Sequence, residues 1–282
     1  MPEHKIDLRG GNHSVLLIHG LTGSPFEMKY LARKLNKAGF TVKGPCLEGH
    51  CTTLENLSKT NWKDWYHSVR ENFIEMQKTS DTVSAVGLCM GALLSLHLAY
   101  EFGSEIKAVS LISTTLFYDG WSLPWFKFLL PIAYIVPFRY IYSYSETHPY
   151  GIKNEQLRER IVNLMKDNSI AYTKTPAKSM HELFKLIREV KRELPSVTTP
   201  TLILHSREDD LTSTKNPDYI EKKIASKIVR KIILDDSYHM MTIDNQKDRV
   251  AEETINFFLE QVSPSARSCQ GINEVSPNPG YL

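Results

Sequence analysis

Five residues, Gly87-Leu88-Cys89-Met90-Gly91, decide the fold of this chain. The stretch before them, Thr82 to Val86, is short and rich in β-branched residues, which predicts a buried strand. The stretch after them, residues 92–100, contains neither glycine nor proline and predicts a helix. The two glycines allow a tight turn between strand and helix, because no Cβ obstructs the backbone. Cys89 is then presented at the helix N-terminus, where the helix dipole favours negative charge.

Strands alternate with helices on both sides of this turn. Further strands are predicted at Val15–Ile18, Phe40–Gly44, Ala108–Ser113, Pro200–His205 and Val229–Leu234. Further helices are predicted at Pro25–Ala38, Trp62–Gln77 and Gln246–Gln261, and a loop is predicted at Pro45–Leu57. This alternation predicts an α/β fold with a doubly wound, mostly parallel sheet.

Residues 116–195 interrupt the alternation. Their first part, 117–144, is rich in aromatic residues, and their second part, 154–192, predicts two charged amphipathic helices. We therefore expect a core made of residues 1–115 and 196–262, with residues 116–195 inserted as a helical cap. The tail, residues 263–282, has several prolines and glycines and little to bury, so we expect it to be disordered.

The composition is that of an ordinary globular protein. The chain has 282 residues, 41% hydrophobic and 23% charged, and its net charge of +2 gives no reason to expect nucleic acid as a partner. The chain contains no run of about 20 apolar residues and no secretion-signal pattern at its start. The cysteine spacing is typical neither of a zinc site nor of a dense disulfide framework. We therefore expect a cytoplasmic protein with free thiols, and nothing in the sequence indicates an oligomeric state.

Candidate catalytic residues follow the predicted strands. The turn after residue 205 contains three carboxylates, Glu208, Asp209 and Asp210. His239 follows the last strand and is the only histidine downstream of these acids. A cysteine nucleophile needs a base, and the base needs an acceptor that orients it. The order nucleophile, acid, histidine predicts that Cys89 and His239 work with one of the three carboxylates.

The chain resembles the α/β-hydrolase superfamily, and within it the small bacterial carboxylesterases and monoacylglycerol lipases. The matching motifs are residues 17–25 (LIHGLTGSP), 48–50 (EGH), 87–91, the turn at Asp209, and 238–244 (YHMMTID). They span residues 15–262 and leave the two ends and much of the cap unmatched. This resemblance implies covalent acyl catalysis with Asp209 as the acid, ahead of Asp210 and Glu208. It also implies an oxyanion hole made by the backbone N–H groups of Leu21 and Met90. No metal or cofactor is expected, since the set of groups is complete without one.

Cys89 is the departure from that family, because the usual nucleophile at this position is serine. Cysteine occurs at this position in dienelactone hydrolases and polyhydroxyalkanoate synthases, which are related proteins. A thioester acyl-enzyme reacts readily with amines, thiols and alcohols, and a thiolate is a good leaving group. Cys89 therefore favours activated substrates (thioesters, aryl esters, lactones) or acyl transfer. An engineered Ser→Cys replacement that traps an intermediate is the alternative explanation.

Three functions follow as hypotheses. The leading one is hydrolysis of a small-molecule carboxylic ester or thioester with an apolar acyl group. The second is acyl transfer from a thioester to an amine or alcohol, and the third is a non-catalytic lipid-binding protein. Aromatic cap residues are candidates for the acyl pocket, namely Trp121, Trp125 and Phe128. In a second interpretation, the aromatic segment anchors the protein peripherally at a membrane surface, with Lys127 and Arg139 facing headgroups.

Overall fold

The computed structural model describes residues 5–122, 143–145, 148–166 and 171–262. Its strands are β1 (Ile6–Leu8), β2 (His13–Ile18), β3 (Thr41–Gly44), β4 (Thr82–Leu88), β5 (Ile106–Ile112), β6 (Ser143–Ser145), β7 (Lys174–Pro176), β8 (Thr201–Ser206) and β9 (Val229–Leu234). Its α-helices are α1 (Lys29–Lys37), α2 (Leu54–Lys59), α3 (Trp62–Gln77), α4 (Met90–Phe102), α5 (Glu155–Lys166), α6 (Ala177–Glu193), α7 (Lys215–Lys223) and α8 (Lys247–Val262). Two predicted pocket residues, Trp125 and Phe128, lie outside the described residues, as does the tail 263–282.

The central sheet has seven strands in the described part of the chain, in the order β1-β3-β2-β4-β5-β8-β9. Every neighbouring pair from β3 to β9 is parallel, and only the edge strand β1 runs antiparallel, to β3. Strands β2 and β8 are buried along their whole length, as expected for parallel strands that are covered on both faces. The predicted mostly parallel α/β sheet is therefore confirmed.

The hydrophobic core lies on both faces of the sheet. On one face, α3, α4 and α6 form a continuous apolar cluster with the sheet, and on the other face α1 and α8 do so. Helix α6 lies inside the region 116–195, yet it packs against α3 and α4 through Leu183, Leu186 and Val190. These residues recur at spacings of three and four, which places them on one face of the helix.

Several short elements were missed by the sequence patterns. Within the predicted loop 45–57, Leu54 begins α2, which is capped by the Thr53 side chain accepting the Asn56 N–H at 3.1 Å. Helix α7 and the antiparallel pair β6–β7 were not predicted either. These elements are three to nine residues long. Elements this short carry too few residues for a hydrophobic period to be recognised.

The expectation of free thiols is wrong for two of the cysteines. Cys46 and Cys51 form a disulfide across the turn that carries the Glu48-Gly49-His50 motif, with their Cα atoms 6.2 Å apart. Two cysteines five residues apart match no recognised disulfide pattern. Their pairing depends on the tight turn between them, which brings the two residues close enough to bond. Among the described residues, Cys89 is the free cysteine.

No helix in the described ranges has both the length and the apolar composition needed to cross a bilayer. Helix α4 is the most apolar of them, and its 13 residues extend only about 20 Å at 1.5 Å per residue.

Candidate active site

Cys89 lies at the sharp turn between β4 and α4. Its backbone has φ 56° and ψ −111°, a conformation that L-residues rarely adopt, and its N–H donates to Ile112 O at 2.9 Å. Backbone strain of this kind persists where the surrounding structure enforces it, and it concentrates at functional sites. The turn therefore holds the partly exposed cysteine side chain above the end of the sheet.

The two glycines of this turn allow close packing of the backbone. A Cβ on Gly91 would lie 2.1 Å from the carbonyl oxygen of Ile18, and one on Gly87 would lie 2.1 Å from the carbonyl group of Gly91. The turn after β4 and the end of β2 are therefore in direct backbone contact. This contact brings the stretch that begins at His19 beside Cys89.

Replacing Gly91 by alanine is expected to destabilise the fold by about 3 kcal/mol, because the obstructing atoms belong to the backbone and cannot turn aside. The midpoint of thermal unfolding should fall by about 6–12 °C. Ser95→Ala, one turn further along α4, is the matched control. It removes one hydroxyl that donates to Gly91 O at 2.9 Å and should destabilise by about 1 kcal/mol or less. Equal midpoints for the two variants would contradict this packing.

His239 lies after β9 and is paired with Asp209. Its Nδ1 is 2.8 Å from Asp209 Oδ2 and 3.0 Å from Oδ1, and both side chains are buried. Burial alone would lower the pKa of His239, but the negative charges of Asp209 and Cys89 outweigh burial and raise it well above its ordinary value. The other ring nitrogen, Nε2, is buried and has no partner besides Cys89 in the described part of the chain, and the interaction with Cys89 also raises this pKa. Nε2 is thus the nitrogen available for proton exchange.

Asp209 is held as a carboxylate by its surroundings. Burial would raise its pKa, but the charge and hydrogen bond of His239 lower it below the ordinary value. Its Oδ1 also accepts the backbone N–H groups of Leu211 and Thr212, each at 2.9 Å. The acceptor is therefore fixed in place by the turn that follows β8.

The two alternative acids have other partners. Asp210 is buried, but its carboxylate accepts backbone N–H groups, from His239 at 3.3 Å and from Gly151 at 3.2 Å. Burial raises the pKa of Asp210, and the positive charge of His239 opposes that rise. Glu208 forms an ion pair with Lys153 on the surface. Of the three candidate acids, the structure brings Asp209 to the imidazole.

The two predicted oxyanion donors lie on the two turns that touch each other. Met90 is the first residue of α4, where its N–H has no partner within the helix. Leu21 follows β2, and its carbonyl oxygen accepts a hydrogen bond from His50 Nε2 at 2.7 Å. Burial lowers the pKa of His50 to about 4, so its ring is neutral near pH 7. The Glu48-Gly49-His50 motif thus fixes the turn that carries Leu21.

A third turn, after β5, contacts both Cys89 and His239. Thr115 Oγ1 lies 3.3 Å from Cys89 Sγ, and Ser113 Oγ donates to the carbonyl oxygen of His239 at 2.7 Å. Ser113 also has a positive φ of 47°. The sequence of this turn gives no signal of a functional role, because hydroxyl residues after a strand are common in ordinary loops.

Glu27 is a further residue that the sequence analysis missed. It is only 7% exposed, and its carboxylate accepts the N–H of Gly20, the residue before Leu21. Burial raises its pKa to about 7, against opposing effects of the Gly20 N–H and His239. An acidic residue in a first helical turn normally indicates a solvent-exposed partner of the helix dipole, so its position gave no signal.

Trp121 is the predicted pocket residue that the structure describes. It is 60% exposed, its ring packs edge-on against Tyr238 at 5.4 Å, and its Nε1 donates to Glu208 O at 3.2 Å. The structure therefore places it on the surface beside the loops that carry Asp209 and His239. In the described part of the chain, no three His, Cys, Asp or Glu side chains are grouped as metal ligands.

The chain is similar to known proteins both in sequence and in fold. Residues 12–246 match the family model of serine aminopeptidase, S33. The chain is 32% identical over 250 residues to a thermostable monoacylglycerol lipase of Bacillus sp. (strain H-257), covering 89% of this chain and 92% of that protein. It is 26% identical over 250 residues to a carboxylesterase of Bacillus subtilis (strain 168), covering 88% and 93%. A solved structure from a study of the metagenome-derived lipolytic enzymes LipS and LipT superposes with a TM-score of 0.79 at 26% identity, covering 91% of this chain and 97% of that one.

Proposed function

The chain belongs to the serine aminopeptidase S33 family of α/β-hydrolase enzymes, and from that premise we propose that it hydrolyses carboxylic esters through an acyl-enzyme on Cys89. The observation that carries the proposal is the buried Asp209–His239 pair at 2.8 Å, which follows the strained cysteine in the order this chemistry requires. A pair of this kind holds one imidazole nitrogen and leaves the other free to exchange protons.

The proposed reaction has two halves. The Cys89 thiolate, whose proton lies on His239, bonds to the ester carbonyl carbon, and the carbonyl electrons move to the oxygen, which the N–H groups of Leu21 and Met90 stabilise. The oxyanion then collapses, the C–O bond to the alcohol breaks, and His239 gives its proton to the leaving oxygen. Water attacks the thioester with His239 as base, releasing the acid and restoring the Cys89 thiolate. Asp209 holds the imidazole throughout.

The substrate class follows from the nucleophile and from the relatives. The relatives are a monoacylglycerol lipase and a carboxylesterase, which supports a single apolar acyl chain on a small alcohol. A thiolate leaves more easily than an alkoxide, so the intermediate formed with a plain alkyl ester tends to revert to substrate. We therefore propose that thioesters and aryl esters are turned over faster than glyceryl esters.

Of the predicted cap, residues 116–195, we propose that the part before α6 covers the site, since α6 packs in the core against α3 and α4. Ile152 forms a small apolar cluster with two residues of helix α5, Ile161 and Met165. Met240, next to His239, and Phe26, beyond the turn of Leu21, pack against this cluster. The cluster therefore lies beside the loops that bear the proposed catalytic groups. Contact of the aromatic segment with a membrane, and a cytoplasmic location, stay predictions of the sequence.

A substrate panel tests the proposed function. p-Nitrophenyl esters and acyl thioesters of increasing chain length, together with monoacylglycerols, would be incubated with and without an added amine or alcohol. We expect release of free acid in both conditions, with kcat for aryl esters and thioesters more than about tenfold above that for monoacylglycerols, since the poorer leaving group slows acylation. Acyl product that appears only with the added acceptor would instead identify an acyltransferase. No turnover of any ester, with binding of the free fatty acid, would identify a lipid-binding protein.

A further inference from the structure

Glu27 folds back into the turn that follows β2. Its carboxylate accepts the Gly20 N–H, and two glycines of that turn make room for it. A Cβ on Gly23 would lie 2.1 Å from Glu27 Oε2, and a Cβ on Gly20 would lie 3.3 Å from Oε1. The glycines therefore form a cradle for this carboxyl group.

The Glu27 carboxyl group is buried, and few charges act on it. Among the residues that the structure describes, no lysine or arginine forms an ion pair with Glu27. The titratable group that acts on it is His239, from the loop after β9. The nearby rings of His19 and His50 have pKa values lowered by burial to about 3 and about 4, so they carry no charge near pH 7. A buried carboxyl that lies beside the proposed catalytic histidine, with no lysine or arginine partner in the described ranges, is a candidate for a functional role rather than a stabilising one.

The cradle lies next to the reacting atoms. The Cβ position of Gly20 is 3.7 Å from Cys89 Cβ, so Gly20 contacts the nucleophile as well as the carboxyl group. The next backbone N–H in the chain is that of Leu21, the proposed oxyanion donor. A contact that restrains Gly20 at its N–H therefore restrains the residue from which the Leu21 amide extends.

We propose that Glu27 is a positioning residue of the oxyanion hole, which in its neutral form holds the Gly20 N–H so that the Leu21 amide faces the substrate carbonyl, and in its ionised form opposes oxyanion formation. This role rests on the proposed ester hydrolysis. Two negative charges close together in a buried site repel each other strongly, so an ionised Glu27 disfavours the oxyanion in the transition state.

The sign of the pH dependence follows from the charge. Because burial raises the pKa of Glu27 to about 7, the group is neutral below that pH and negative above it. Wild-type kcat/KM should therefore fall as the pH rises through about 7. This fall adds to whatever change in kcat/KM the titration of His239 causes. Glu27→Gln keeps an oxygen that accepts from Gly20 N–H but cannot ionise.

The test compares wild type, Glu27→Gln and Glu27→Ala on one aryl ester between about pH 5.5 and pH 9. We expect the ratio of kcat/KM for Glu27→Gln to that of wild type to be near one at low pH and to rise several-fold above pH 7. Glu27→Ala should lose about tenfold in kcat relative to Glu27→Gln at every pH with KM little changed, less than the 10²–10³ for removing an oxyanion donor outright. A ratio that does not change with pH, in an active wild type, would overturn the role of Glu27 alone, whereas an inactive wild type would overturn the proposed function.

Thermal unfolding gives a readout that does not depend on activity. The folded protein keeps the Glu27 proton to about pH 7, whereas the ordinary pKa is 4.5. Stability associated with this group is therefore complete below pH 4.5 and is lost as the pH rises to about 7. Glu27→Gln should accordingly raise the unfolding midpoint more at pH 8 than at pH 5. An equal change at both values would show that Glu27 carries no buried charge and would overturn its ionisation as a catalytic factor.

Discussion

Replacing Cys89 by alanine is expected to lower kcat/KM for an aryl ester by about 10⁴-fold or more, because the proposed covalent intermediate forms on its sulfur. The strained turn at Cys89 presents its sulfur beside the imidazole, and the charge of Cys89 is among the causes that raise the pKa of His239. Steady-state hydrolysis of a p-nitrophenyl ester, measured at several pH values, provides the comparison.

Two variants serve as controls for this loss. Cys269→Ala removes a thiol from the tail, outside the described residues, and should leave kcat/KM unchanged. Cys89→Ser keeps a nucleophile at the same turn, so its activity should remain well above that of Cys89→Ala. Retention of more than about a tenth of wild-type activity by Cys89→Ala would contradict covalent catalysis at this residue. A serine variant that exceeds wild type on alkyl esters would point to an engineered cysteine.

Asp209→Asn is expected to lower kcat/KM by about 10³-fold, since the asparagine amide cannot hold the charged imidazole in the working orientation. It should also shift the pH profile. Burial pushes the pKa of His239 down, and Asp209 is the largest of the effects that raise it. In Asp209→Asn the imidazole therefore loses its proton at lower pH, and activity that needs the imidazolium should fall at lower pH than in wild type.

Asp210→Asn is the matched control for that prediction. Asp210 is the neighbouring residue and is equally buried, but it binds backbone N–H groups and not the imidazole. The asparagine oxygen can still accept one of these hydrogen bonds, so we expect a loss of less than about tenfold and a smaller shift of the pH profile than in Asp209→Asn. A larger loss for Asp210→Asn than for Asp209→Asn would show that the acid has been assigned to the wrong residue.

The central sheet could be predicted because most of its inner strands contain a short apolar run. Strands β2, β5 and β8 are each six or seven residues long, and each directly precedes a stretch with a chemical group of interest. The order of cysteine, acid and histidine then limited the choice of catalytic groups. Asp209 and Asp210 could not be separated by residue type, since the difference lies in which carboxylate the turn directs at the ring.

Other parts of the site depend on packing contacts that no sequence period reveals. The carboxyl of Glu27 becomes buried only because the chain folds it back over Gly20 and Gly23, which a helical period does not reveal. The contact of Thr115 with Cys89 joins residues 26 positions apart. The disulfide of Cys46 and Cys51 likewise depends on the local turn. Such contacts follow from packing, so a pattern in the sequence cannot supply them.

The covalent intermediate is the central claim, and intact mass after acid quenching tests it most directly. Wild type and Cys89→Ala would be mixed with an acyl thioester and an aryl ester for a short time and then quenched with acid. The intact mass of each protein would be measured by mass spectrometry, and the protein would then be digested to locate the acyl group. We predict a gain equal to one acyl group on the wild-type peptide that contains Cys89, which disappears when turnover in water is allowed to continue, and no gain in Cys89→Ala. A gain on another residue, or turnover without any gain at the shortest times, would contradict the account.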